Sequence, residues 1–264
     1  MPSIAALPQE LVDHIIDDIG PSDKRAAASL TLTCNAWTSR SSKHLFNTVN
    51  VFTAELPEFL AQAAGSSRLA SHVTELTISQ PMRGDDGFDL TPFVPAILHT
   101  LPRLSALSVF GERISVQAGL PAPPAGQRRT LALLRLSHTH IEALPELLQL
   151  FDTVDTLHLD QVYIPPCAVE PAPAPPARHL RVRALFFDGS RPTFEALSAL
   201  LQRDVLQYLH LKCDIFFRIH TEPVNAFLHE VGAALEHFRF DLPMDGWVVD
   251  GPGTPSPLPV RCIP

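Results

Sequence analysis

Apolar positions along this chain recur with two different periods. Near the N-terminus, LPQELVDHIIDDIG (7–20) sets Leu11, Val12, Ile15, Ile16 and Ile19 at i, i+1, i+4, i+5 and i+8, a wide apolar stripe on one helix. Glu10, Asp13, His14, Asp17 and Asp18 fill the other side, Pro8 suits a first helical turn, and Gly20-Pro21 ends the run. Beyond residue 45 the period becomes that of a strand. One unit, an apolar residue, two others, a second apolar residue, one other and a third, returns as FNTVNV (46–51), VTELTI (73–78), LSALSV (104–109) and LALLRL (131–136). It continues as VDTLHL (154–159), VRALFF (182–187), LQYLHL (206–211) and LEHFRF (235–240).

The middle anchors are Val49, Leu76, Leu107, Leu134, Leu157, Leu185, Leu209 and Phe238, spaced by 27, 31, 27, 23, 28, 24 and 29 residues. Each copy ends in the alternation of a short, half-buried strand. Helical patterns fill several intervals, at 55–64, 93–101, 141–151, 193–203 and 224–238. A strand and a helix every 23 to 31 residues is the pattern of a leucine-rich-repeat solenoid, whose units stack because none buries its apolar edge alone. The other candidate is a doubly wound α/β sheet, but strands buried on both faces read as continuous apolar runs. Here Thr77, Ser108, Arg135, His158 and Arg239 stand between the anchors, so one strand face is expected to meet solvent. The expected fold class is mixed α/β, with three short helices over 1–45 and an irregular repeat array over 46–250. Proline-rich stretches at 119–129 and 164–179 interrupt the array and read as extended loops, the second with P-x-x-P spacing. Residues 251–264 read as an unstructured tail.

Composition narrows the function classes. The 26 prolines among 264 residues are roughly twice the average share of about 5%, and they cluster in those loops. A net charge of −8 argues against nucleic acid as the main ligand, because phosphate binding needs a basic face. Cys34, Cys167, Cys213 and Cys262 form no C-x-x-C pair, which fits neither a disulfide framework nor a zinc site and suits a reducing compartment. There is no basic-then-apolar leader and no apolar run near the ~18 residues of a membrane span. The expectation is a soluble protein, cytoplasmic or nuclear or both, with no membrane association. His138 and His140 of HTH (138–140) have no H-E-x-x-H or nearby carboxylate spacing, and no G-x-S-x-G, P-loop or G-x-G-x-x-G occurs. No catalytic residue, metal or cofactor is therefore expected, and a hydrolase without a recognisable motif is the enzyme alternative.

The stretch from 7 to 51 resembles an F-box, and with the repeats behind it the chain is similar to the F-box and leucine-rich-repeat proteins of large fungal families. Leu7, Pro8, Glu10 and Leu11 match the family's opening Leu-Pro-x-Glu-Leu, and Ile15, Ile16 and Ile19 its aliphatic positions. Leu32, Cys34 and Trp37 match its Leu and Cys before a Trp, and Leu45-Phe46 the pair leading into the first repeat strand. The segment SDKRAAASLT is richer in alanine than the family's second helix, and Thr33 and Asn35 also depart from the pattern. The resemblance implies docking on a Skp-type adaptor, and through it a cullin scaffold, with Leu7, Pro8, Leu11, Ile15 and Ile16 lining the contact and Leu32 and Trp37 supporting it. It implies the substrate-receptor subunit of a cullin–RING ubiquitin ligase, a non-catalytic role. The alternative is a diverged scaffold that no longer joins a ligase. Physical reasoning agrees with a docking role: about 40 residues are near the lower limit for folding alone, and the first helix offers more aliphatic surface than such a core absorbs.

The repeat register names a surface for a target protein. Thr77, Ser108, Arg135, His158, Phe186, His210 and Arg239 form one outward column, and Ser79, Phe110, Ser137, Asp160, Asp188, Lys212 and Asp241 the next. Arg135, His158, Phe186, His210 and Arg239 are the candidate target-binding residues. Two readings stand open for them: a line that captures an acidic or phosphorylated segment, and a solvated strand face with charges of both signs.

Overall fold

The computed structural model describes residues 8–20, 23–33, 35–81, 87–121, 128–142, 144–164, 179–189, 191–213 and 222–241. Leu7, Cys34, Cys167, Cys262, most of the two proline-rich stretches and the tail at 251–264 lie outside them.

The chain begins with α1 (Gln9–Ile19), α2 (Lys24–Thr33) and α3 (Asn35–Asn47). Val12 and Ile16 of α1 and Ala27 of α2 are buried, and each of the three helices packs on the other two. Because that core is small, polar ties carry much of the geometry. The Asp17 carboxylate accepts from Arg40, with Nε 2.7 Å away, and lies 2.7 Å from His44 Nε2, so α1 is pinned to α3 at two points. These two partners hold the Asp17 carboxyl well below the usual carboxylate range, Arg40 having the larger effect. Gly20 follows α1 against α3, where a Cβ would fall 2.6 Å from Cβ of His44. Lys24 Nζ donates to the carbonyls of His44 at 2.6 Å and Leu45 at 3.1 Å. Those carbonyls belong to the last turn of α3, which lacks intrahelical donors and favours a cation.

Eight strands then form one parallel sheet. In order across it they are β1 (Thr48–Phe52), β2 (Glu75–Ser79), β4 (Ala106–Phe110), β6 (Arg129–Ser137), β8 (Phe151–Val162), β9 (Arg181–Gly189), β10 (Tyr208–Cys213) and β11 (His237–Asp241). Each of the eight repeat copies supplies one strand, and the strands follow one another across the sheet in chain order. The anchors pair across every neighbour, from Val49 with Leu76 to Leu209 with Phe238. Leu76, Leu107, Leu134, Leu157, Leu185 and Leu209 are at most 2% exposed. Phe238 is 48% exposed, because among the described residues no strand lies beyond β11.

The helices α4 (Leu56–Gly65), α5 (Ser67–His72), α6 (Phe93–Thr100), α7 (Leu144–Leu148), α8 (Arg191–Ser198) and α9 (Glu222–Val231) contribute to the same apolar core as the inward strand residues. A three-stranded parallel sheet, β3 (Phe88–Asp89), β5 (Ile114–Val116) and β7 (His140–Ile141), adds Ile114, Val116 and Ile141 to it. The chain leaves the main sheet for this second one by a sharp turn at equivalent positions. His138 and Gln161 take φ of 55° and 50° there, the left-handed region that few side chains occupy. At the matching place in β4's repeat stands Gly111, where a Cβ would meet Cβ of Gln80 at 2.8 Å.

Several expected boundaries are corrected. Phe46 and Asn47 lie in α3, so the first strand starts at Thr48. The helix expected over 141–151 shrinks to α7, because Ile141 joins β7 and Phe151 opens β8. The helix expected over 193–203 ends at Ser198, and that over 224–238 ends at Val231, just before Gly232.

Candidate functional site

Two surfaces carry the sequence-derived site residues. On the helical unit, Leu11 is 51% exposed, Ile15 46%, Ile19 36% and Leu32 88%. Leu11, Ile15 and Ile19 follow i, i+4, i+8 spacing and so share one strip of α1. Pro8 is exposed and Trp37 half-buried. Ile16 is corrected: at 1% exposure it belongs to the helical core and lines no contact surface. The stripe seen in the sequence thus divides, Val12 and Ile16 turning inward while Leu11 and Ile15 turn out.

The second surface is the face of the main sheet that no described element covers. Its columns run as the repeat register requires: Thr77, Ser108, Arg135, His158, Phe186, His210 and Arg239 are paired neighbour to neighbour, and so are Ser79, Phe110, Ser137, Asp160, Asp188, Lys212 and Asp241. All are half-buried or exposed except Ser137. Phe186 sits at the centre of a ring cluster, with centroids 5.2 Å from His158, 5.8 Å from His210 and 5.1 Å from Tyr208. Tyr208 in turn lies 6.1 Å from His237. Tyr208 and His237 escaped the sequence reading, although they stand two residues before His210 and Arg239 on the same strand face. Burial, and behind it the Arg135 charge, push His158 below the ordinary histidine value.

Acidic residues border the rings. His210 Nε2 lies 2.8 Å from the Asp241 carboxylate, which Arg239 Nε also approaches at 3.0 Å. Arg239 first and His210 second hold Asp241 below the usual carboxylate range. Lys212 Nζ donates to Asp188 at 2.6 Å, and that bond raises the ammonium's pKa. The two arginines do not converge. Arg135 lies 5.0 Å from the Phe110 ring centre, while Arg239 is engaged by Asp241. Four strand steps separate them, about 19 Å at the usual inter-strand spacing.

His138 falls in the left-handed turn and His140 in β7, its ring 5.1 Å from that of Tyr163. Among the described residues no group of three or more His, Cys, Asp or Glu side chains is placed to hold a metal ion. Among them, too, no helix is long and apolar enough to cross a membrane. No protein-family model matches the chain, and comparison with curated proteins and with solved structures returns no match.

Proposed function

We propose that the protein is a substrate receptor of a cullin–RING ubiquitin ligase, its F-box-like helices docking on a Skp-type adaptor and its repeat face holding a target protein. The observation that carries this reading is the exposed strip of Leu11, Ile15 and Ile19 with Leu32, on a unit whose own core already contains Val12, Ile16 and Ala27. Full burial of one such side chain is worth about 1.5–3 kcal/mol, so a partner covering four half-exposed or exposed ones gains several kcal/mol. The mechanism is proximity: the adaptor fixes one end, the sheet face fixes the target, and a target lysine is held near the ubiquitin-carrying enzyme. On that face the ring cluster around Phe186 supports target binding better than the arginine line does, because aromatic anchors dominate interface energetics and both arginines are engaged within the chain. Receptor and adaptor belong together inside the cell, in cytoplasm or nucleus.

The test is co-expression with a Skp-type adaptor and size-exclusion chromatography of wild type beside Leu11→Asp/Ile15→Asp. A one-to-one complex formed only by wild type is the expected result. A well-folded wild type that elutes apart from the adaptor overturns the reading in favour of a scaffold outside the ligase.

A further inference from the structure

The outer edge of β11 belongs to neither surface. On one side β11 pairs with β10, from Tyr208 with His237 to Lys212 with Asp241; on the other, among the described residues, no strand lies beside it. The His237 N–H donates to the Gln207 carbonyl at 3.0 Å. Parallel ladders alternate, so the N–H and C=O of Phe238 and Phe240 point away from β10. The same two residues expose apolar rings: Phe238 is 48% and Phe240 41% exposed, 6.3 Å apart, whereas Leu209 and Leu211 one strand inward are fully buried. On the opposite face β11 reads His237, Arg239, Asp241, two basic side chains followed by an acid.

We infer that β11 pairs antiparallel with β11 of a second copy of this chain, joining two sheets across a two-fold axis. Three features fit that occupant together. Among the described residues the backbone groups of β11 that face away from β10 belong to alternate residues, as either kind of ladder needs, and of the two only the antiparallel ladder is two-fold symmetric. The exposed rings of the two copies meet beside the axis and prolong the buried face of Leu209 and Leu211. In the register that sets Phe240 opposite Phe240 of the other copy, each Asp241 lies opposite the other copy's Arg239, so the charge order complements itself. A two-fold interface uses the same patch twice, and this patch is self-complementary in both charge and apolar surface. Five-residue strands bury less than the ~1,200 Å² of a standard interface, so the dimer is weak and depends on concentration.

Sedimentation velocity on the full chain tests this between about 1 and 200 μM, the range that brackets a micromolar Kd. Wild type should pass from monomer to dimer. Phe238→Lys/Phe240→Lys should stay monomeric throughout, since both rings already meet solvent in the monomer. Phe240→Pro should do the same, because its N–H takes no part in the β10 ladder; circular dichroism confirms that both variants fold. Leu11→Asp/Ile15→Asp should dimerise like wild type, which separates this inference from adaptor docking. A monomer at every concentration, the outcome if the 23 residues after Asp241 cover the edge, overturns it. So does a dimer that survives both β11 substitutions or is lost only in the helix variant.

Discussion

Ile15 and Ile16 are the same residue type at adjacent positions on one helix, yet their truncation should have opposite consequences. Ile16 is 1% exposed and packs inside the three-helix unit, while Ile15 is 46% exposed. Truncating a buried isoleucine to alanine costs about 2–5 kcal/mol, which is a large part of the stability available to so small a core. For Ile15 roughly half the side chain already meets water, so the same truncation should cost about 1 kcal/mol or less, and alanine's helix propensity offsets some of it. In the proposed adaptor complex the ranking would reverse its meaning. Ile15→Ala should weaken binding by about 1 kcal/mol, roughly fivefold, with the free protein intact, whereas Ile16→Ala should lower binding only by unfolding the unit.

Chemical denaturation followed by Trp37 fluorescence in a Trp247→Phe background, with hydrogen exchange of α1 amides as a second probe, reads the first difference. Titration of purified adaptor reads the second. Equal destabilisation by the two truncations would refute the partition of the α1 stripe into a core side and a docking side. A binding loss that tracks stability in both variants would refute the docking side alone.

Two further predictions follow from charge. Asp17 titrates lower in the folded state than in the unfolded chain, so its stabilisation is complete above the ordinary aspartate pKa near 3.8 and is lost as pH falls through the folded value. The stability gap between wild type and Asp17→Asn should therefore hold from pH 7 to 5 and shrink below about pH 4; a gap unchanged at pH 2.5 refutes the Arg40–His44 clamp. His158 is a base with a depressed pKa, so the unfolded chain binds its proton first and the fold is penalised as pH drops below about 6.5. Its ring resonances should titrate below that value by NMR, and the midpoint should rise in Arg135→Gln; a midpoint at or above 6.5 in wild type refutes the burial assigned to it.

What could be read from sequence was whatever repeats or alternates. The anchors from Val49 to Phe238 specify both the strands and their register, because a slip of one residue would turn every leucine to the solvent face. The polar column from Thr77 to Arg239 marks, for the same reason, the sheet face that no described element covers. Strands of two or three residues, such as β3, β5 and β7, have no period to detect, so the second sheet was invisible. Its entrance left a faint signal in Gly111 and the turn that replaces it at His138 and Gln161. Gly232 was a usable stop signal for α9 that the apolar run through Leu235 overrode. On α1 the stripe revealed that there was surplus apolar surface but not its division, since Ile15 and Ile16 differ by 100° around the helix and only the placement of α3 decides which turns inward. The arginine line shows the opposite limit: both residues lie in one register column, but Arg135 and Arg239 are held apart by three intervening strands and each has a partner of its own.

The junction between helices and sheet bears directly on the receptor reading, because proximity raises effective concentration only when the two binding surfaces keep a fixed relation. A boundary at residue 45 suggested two units in tandem. Instead α3 runs to Asn47 and β1 starts at Thr48, leaving no linker between them. Thr74, which precedes β2, donates from its backbone N–H to the Asn47 carbonyl at 2.9 Å and from its hydroxyl to Asn47 Oδ1 at 2.6 Å. Arg68 of α5 reaches Ser42 of α3 at 3.4 Å. Lys24 reaches from α2 toward the Thr48 carbonyl at 3.5 Å, beyond the two carbonyls of α3 that it caps. The last turn of α3 is thus bonded into the first two strand repeats, and a cut at 45 would remove the Lys24 cap and Ser42 and leave Asn47, which Thr74 bonds, without the helix that holds it. A flexible linker would let an adaptor-bound helical unit and a target-bound sheet face drift apart. Under the receptor proposal, a helix that passes without a break into the first strand would transmit the position of a bound adaptor to the sheet directly, which is the geometry a proximity mechanism requires.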